Sequence, residues 1–138
     1  MKNIVVGVSE AETSKIAGRQ AFELAERYGA TVHVVTAIES AETVSIDLGS
    51  DRYTYDTLDA AHQSIEDYVE AIAPTVQWRV VASDAKPAQA LLDTAREVGA
   101  DLIVVGNVRM QGIGRVLGSV GNDVLRQAPC NVLIVKTV

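Results

Sequence analysis

The feature that most narrows what this chain can fold into is an alternation of two hydrophobic periods. Residues 4–8 (IVVGV), 31–38 (TVHVVTAI), 102–105 (LIVV) and 132–135 (VLIV) are short, rich in β-branched residues and almost wholly apolar. Runs of this kind belong to strands buried on both faces, since a strand with one wet face alternates apolar and polar residues. A fifth run, 76–82 (VQWRVVA), alternates at its start and suits a sheet edge. Between the runs, apolar residues recur at spacings of three and four, the mark of one helix face. The four sets are Ala17, Ala21, Leu24 and Tyr28; Leu58, Ala61, Ile65, Tyr68 and Ile72; Ala88, Leu91, Leu92, Ala95 and Val98; and Val120, Val124 and Ala128. Gly29 and Gly99 supply stops, Pro87 suits a first helical turn, and Pro74 and Pro129 close the helices before them.

Strands that alternate with helices imply a parallel sheet with right-handed crossovers and helices on both faces. We expect an α/β fold of the flavodoxin/Rossmann-like kind, with a five-stranded parallel sheet in the order 3-2-1-4-5 and residues 1–138 forming one domain. In such sheets a ligand binds beyond the C-terminal strand ends, where the strand order reverses. That reversal falls between the first and fourth strands, so the loops after Val8 and after Val105 should face each other. Residues 39–56 are acidic, rich in Ser and Thr, and carry Tyr53 and Tyr55; we read them as a long loop holding at most one helical turn.

Charge excludes some partners. With 12 basic and 18 acidic residues the net charge is −6, the wrong sign for a protein that gains affinity by neutralising phosphates along a nucleic acid. A single small anion remains possible, because a few local donors outweigh a weak global field. No run reaches the roughly 18 apolar residues that a membrane-spanning helix needs. The lone Cys130 has no intramolecular partner, and the apolar run of the first strand, ended by Ser9-Glu10, is too short to be a signal peptide. A cytoplasmic protein is expected.

The segment from Gly106 to Ser119 (GNVRMQGIGRVLGS) is the chain's best candidate for holding a ligand. Its glycines let backbone N–H groups approach a phosphate, and it feeds a helix N-terminus with unpaired amides and a partial positive charge. Arg109 and Arg115 add charge and Ser119 a hydroxyl, although Ser119 could equally be an N-cap. The segment is not a P-loop, because Gly-Lys-Ser/Thr is missing. Nor is it a dinucleotide fingerprint, because it follows the fourth strand and lacks G-x-G-x-x-G.

In this region the chain resembles the universal stress protein family. The family pattern runs from a strand ending in Val-Gly, through G-x-x-G and a spacer, to Gly-Ser/Thr, a helix and an A-P-C-P-V-L-V-V strand. Here Gly106, Gly118, Ser119, Ala128-Pro129-Cys130 and the closing strand match it. The resemblance extends through Lys86-Pro87-Ala88 and Gly99-Ala100-Asp101-Leu102-Ile103. It implies the adenine nucleotide alpha hydrolase-like form of the fold and a regulatory role in stress response, with ATP, ADP, AMP or cyclic AMP as ligand. Mg2+ would accompany only a polyphosphate. The binding set it implies is Val8, Ser9 and Val35 near the base and ribose, with Gly106, Asn107, Arg109, Gly118, Ser119 and Val120 around the phosphates. The sequence departs from the pattern twice. Ser9 stands where the family has Asp, and Arg109 stands at the second glycine, in a loop one residue shorter. A non-nucleotide-binding interaction protein that acts through dimerisation and partner binding is therefore the alternative.

Nothing in the sequence groups into a catalytic constellation: Ser14 and Ser119 have no base at a useful spacing, so we expect a non-enzymatic protein. His33 and His62 lack second ligands at metal spacing. Cys130, Trp78 and Arg79 read as structural, and Tyr53 and Tyr55 as exposed. The apolar run 132–135 would form a sheet edge open to pairing, and the family forms dimers through that strand, so a homodimer is expected.

Overall fold

The computed structural model describes residues 1–9, 11–38, 43–48, 51–107 and 118–137. In chain order its elements are β1 (Asn3–Gly7), α1 (Glu12–Tyr28), β2 (Thr31–Ala37), β3 (Thr43–Leu48), β4 (Asp51–Asp56), α2 (Thr57–Ile72), β5 (Trp78–Ser83), α3 (Pro87–Val98), β6 (Leu102–Gly106), α4 (Ser119–Gln127) and β7 (Asn131–Val135). The main sheet is parallel throughout and ordered β5-β2-β1-β6-β7. Counted among its own strands this is the expected 3-2-1-4-5.

Strand alternation divides the core into two layers. Ile4, Val6, Val32, Val34, Leu102 and Val104 pack on one face with Ala17, Ala21 and Phe22 of α1 and Ile65 and Val69 of α2. Val5, Val35, Ile103 and Val105 pack on the other with Ala90, Leu91, Leu92 and Ala95 of α3 and Val124 of α4. β1 lies at the centre, and its Ile4, Val5 and Val6 lose all solvent contact. Each such side chain contributes roughly 1.5–3 kcal/mol of burial energy. Gly29 and Gly99 end α1 and α3 at φ of 67° and 64°, the left-handed conformation that makes glycine the usual residue there.

The N-terminal rim of the sheet is polar and tied together. The Asp101 carboxylate accepts the Lys2 and Asn3 amides at 2.6 and 2.8 Å. Those bonds, Asn3 first, hold its carboxyl below the ordinary range. Buried His33 joins β1, β2 and β5. Arg79 Nε donates to Nδ1 at 2.8 Å, and Nε2 lies 2.9 Å from Asn3 Oδ1. Arginine can only donate, so Nδ1 accepts and the proton sits on Nε2. Burial and, secondarily, the Arg79 charge lower the His33 pKa, against a smaller opposing pull from Glu97. Cys130 is half-buried against the second core layer, and burial pushes its thiol up.

Several expectations are corrected. Residues 43–56 are no loop with a helical turn. β3 and β4 form a separate antiparallel pair, in a register that sets Val44 opposite Tyr55 and Ile46 opposite Tyr53. The physical reason is a period-two pattern in both segments, with β-branched and aromatic residues meeting at paired positions. Tyr28, expected on the inner face of α1, is 59% exposed. The helix instead turns Ala17, Gly18, Ala21, Phe22 and Ala25 inward. The edge strand β5 begins at Trp78 rather than Val76.

Candidate functional site

The C-terminal ends of β1 and β6 are adjacent because Ile4, Val5 and Val6 pair with Leu102, Ile103 and Val104. A crevice of about 180 Å³ opens there, and its walls include Gly7, Val8, Ser9, Val35, Val105, Gly106 and Val120. Thus five of the sequence-derived candidates, Val8, Ser9, Val35, Gly106 and Val120, come together in one cavity. Sequence reasoning did not assign Ser14, Ala37, Pro87 and Leu91, which also line it. Pro87 and Leu91 sit on the first turns of α3, and their signal was the apolar periodicity of that helix. The described lining carries no charged side chain and is largely apolar.

Ser9 is held by local geometry. Its N–H donates to Ser14 Oγ at 2.6 Å, and Ser14 Oγ donates back to the Ser9 carbonyl at 3.0 Å. The Ser9 hydroxyl lies 3.1 Å from Ser14 Oγ and accepts the Ala11 N–H at 3.3 Å. The turn into α1 thereby fixes Ser9 without a carboxylate. The α1 N-cap position, Ala11, offers no side-chain cap.

Across the crevice, Gly106 packs against the chain's end: a Cβ there would meet Thr137 Cγ2 at 3.1 Å. Asn107 turns toward the same residue, and its Oδ1 accepts the Thr137 N–H at 2.8 Å and hydroxyl at 3.0 Å. The Asn107 carbonyl group of the side chain thus braces the strand exit. Gly118 is the N-cap of α4 in extended conformation with no side-chain cap bond. Ser119 is therefore not the N-cap; it is the exposed first helical residue. Arg109 and Arg115 lie outside the described residues. Among the described residues no side-chain cap bond closes the helix start, which suits an anion at a helix N-terminus.

The histidines take structural roles. His62 Nε2 lies 3.0 Å from the Val80 carbonyl, and its Nδ1 is 3.1 Å from Glu66. Among the described residues no group of three His, Cys, Asp or Glu side chains is placed to hold a metal. Nor is any helix among them long and apolar enough to cross a membrane.

These features define a doubly wound parallel α/β protein with its crevice at the switch point of the sheet. The sequence profile described as "Universal stress protein family" matches residues 1–136, and the chain belongs to that family. It is 30% identical to a putative universal stress protein of Staphylococcus epidermidis, over 99% of this chain and 84% of that one. Among solved structures it is similar to a universal stress protein in complex with cAMP, at 32% identity and a TM-score of 0.71, covering 99% and 98% of the two chains. A universal stress protein from Lactobacillus plantarum shares the fold at 22% identity and a TM-score of 0.72, with 98% and 97% covered.

Proposed function

We propose that this chain is a cytoplasmic, non-enzymatic regulatory protein of the stress response that holds an adenine nucleotide in the crevice between β1 and β6. The observation that carries the reading is the junction of an apolar cleft with a glycine-capped helix start. Val8, Val35, Leu91, Val105 and Val120 offer a surface suited to a flat base. Ser9 supplies a hydroxyl at the cleft's rim. The first amides of α4, after Gly118, are suited to a phosphate. The relative solved with cAMP lends support at 32% identity. A monophosphate or cyclic nucleotide is favoured by the same relative. Mg2+ would enter only with a polyphosphate.

The test is thermal unfolding with ATP, ADP, AMP and cyclic AMP. A ligand at a hundredfold excess over its Kd stabilises the native state by about 2.7 kcal/mol, so a clear rise in Tm is expected. No shift with any of the four at millimolar concentration would remove the reading. A second reading is favoured by one observation: the Ser9 hydroxyl and the Asn107 carbonyl already have partners within the fold. On that reading the protein acts through dimerisation and partner binding without nucleotide. Mass analysis of ligand carried through purification separates the two.

A further inference from the structure

β7 is an edge of the main sheet, and its side chains are at most half-buried. Just beyond it the pattern changes. Lys136 is exposed, but Thr137 is buried, with 9% of its surface accessible. The most enclosed side chain of residues 131–137 is therefore a polar one, where a sheet edge would be packed as well by an apolar one.

The Thr137 N–H and hydroxyl both donate to one atom, Asn107 Oδ1, at 2.8 and 3.0 Å. The Asn107 N–H in turn donates to the Val135 carbonyl at 2.9 Å, next to the ladder pair of Gly106 with Val135. The β6–β7 ladder is thus carried one step past the last residue of β6 and closed there by side chains. Gly106 lies against the same threonine: a Cβ on it would stand 3.1 Å from Thr137 Cγ2 and 3.4 Å from Oγ1. These two neighbours matter to the crevice. Gly106 lines it, and Asn107 begins the connection that leads to the N-cap of α4 at Gly118. Thr137 is not part of the described lining.

We propose that Thr137 is a positioning residue for the crevice. By gripping the Asn107 side chain and packing on Gly106, it fixes where the chain leaves β6 and so sets the affinity of the site for its ligand. The inference rests on the nucleotide reading above. A binding site keeps its geometry only when supporting contacts lock the groups that form it, and a loss of even a few tenths of an ångström of that lock weakens binding. The hydroxyl is what a packing residue would lack: it adds the second bond that holds Asn107 Oδ1 in one orientation.

Two variants separate positioning from packing. Thr137→Val keeps the branched shape and the backbone N–H but loses the hydroxyl. Thr137→Ser keeps the hydroxyl and gives up a buried methyl. Calorimetric titration of both, and of the wild type, with ATP, ADP, AMP and cyclic AMP measures affinity; amide exchange without ligand follows the Asn107 N–H. Thr137→Val should weaken nucleotide binding by up to about fivefold, the worth of one neutral hydrogen bond, and speed exchange at Asn107. Thr137→Ser should bind as the wild type does, although urea unfolding shows it less stable than the wild type. A packing role predicts the reverse order, because valine fills the space as threonine does and serine leaves a gap. Wild-type affinity and wild-type Asn107 exchange in Thr137→Val, or a loss of affinity in Thr137→Ser as large as in Thr137→Val, would overturn the proposal and leave the nucleotide reading intact. A wild-type protein that binds none of the four nucleotides would remove that reading and this inference with it.

Discussion

Acidification should weaken this fold through His33. The ring is neutral in the native state because Nδ1 accepts from Arg79 and the site is buried. Protonating Nδ1 would break that bond and set a second cation beside the guanidinium. The opposing influence is Glu97, and it is the smaller one. The native pKa therefore lies below the unfolded value of 6.5. Above that unfolded value neither state binds the proton and stability is unaffected. As pH falls below it, the unfolded chain takes up a proton that the native chain refuses. Stability then drops with a limiting slope of about 1.4 kcal/mol per pH unit for one proton, until the native ring itself titrates. In a chain of this length each kcal/mol corresponds to roughly 3–5 °C in Tm. Urea unfolding from pH 7.5 to pH 5 on the wild type and on His33→Gln measures the effect. Glutamine keeps a donor and an acceptor but does not titrate, and His62 is common to both proteins and cancels in the difference. The wild type should lose stability faster toward acid pH. Parallel pH profiles for the two proteins would refute the reasoning.

Three further outcomes are expected. Gly18→Ala should destabilise despite the roughly 1 kcal/mol that alanine gains over glycine in a helix, because its Cβ would stand 2.7 Å from the Tyr68 hydroxyl and 3.1 Å from Val8 Cγ2. That hydroxyl donates to the Lys15 carbonyl at 2.7 Å, so adding Tyr68→Phe should recover part of the loss in chemical denaturation. Asp101→Asn should loosen the start of β1, seen as faster amide exchange at Lys2 and Asn3; the wild type should show the same loosening only as pH falls through the lowered carboxyl value. For the homodimer proposed through β7, light scattering at micromolar concentration should give twice the chain mass, and Ile134→Pro should return it to monomer by removing an edge N–H.

The central strands β1, β2 and β6 were legible because they are buried on both faces, which leaves short, largely apolar runs rich in β-branched residues. The position of the crevice followed from topology, since only one place in the sheet reverses its order. What sequence could not show was which helix reaches over that crevice: Pro87 and Leu91 read as ordinary helix residues until α3 is packed. The inner face of α1 was misplaced at Tyr28 because alanines dominate that face and carry a weak signal, while the tyrosine's ring looks apolar by composition. The β3–β4 pair was missed because its Asp, Ser and Thr residues suggested a loop. The evidence was there in Val44, Ile46 and Leu48 at period two, with only Gly49-Ser50 separating the strands. Ser14 was weighed only as a nucleophile, because its bonds to Ser9 arise from a turn rather than from a spacing motif. Arg109, on which the anion reading leaned, falls outside the described residues.

The central position of β1 has a consequence for how the protein is made. β1 leaves the ribosome well before β6, the strand it needs on one side. Until then the nascent sheet ends at an open edge of Ile4, Val5 and Val6, and loop closure over that distance is slow. The two lips of the crevice, Ser9 and Gly106, meet only when this late docking is complete. A chain broken off before β6 would leave β1 with an unpaired edge and the crevice without its β6 wall, so chaperone capture and loss of the proposed nucleotide binding should arise from the same truncation.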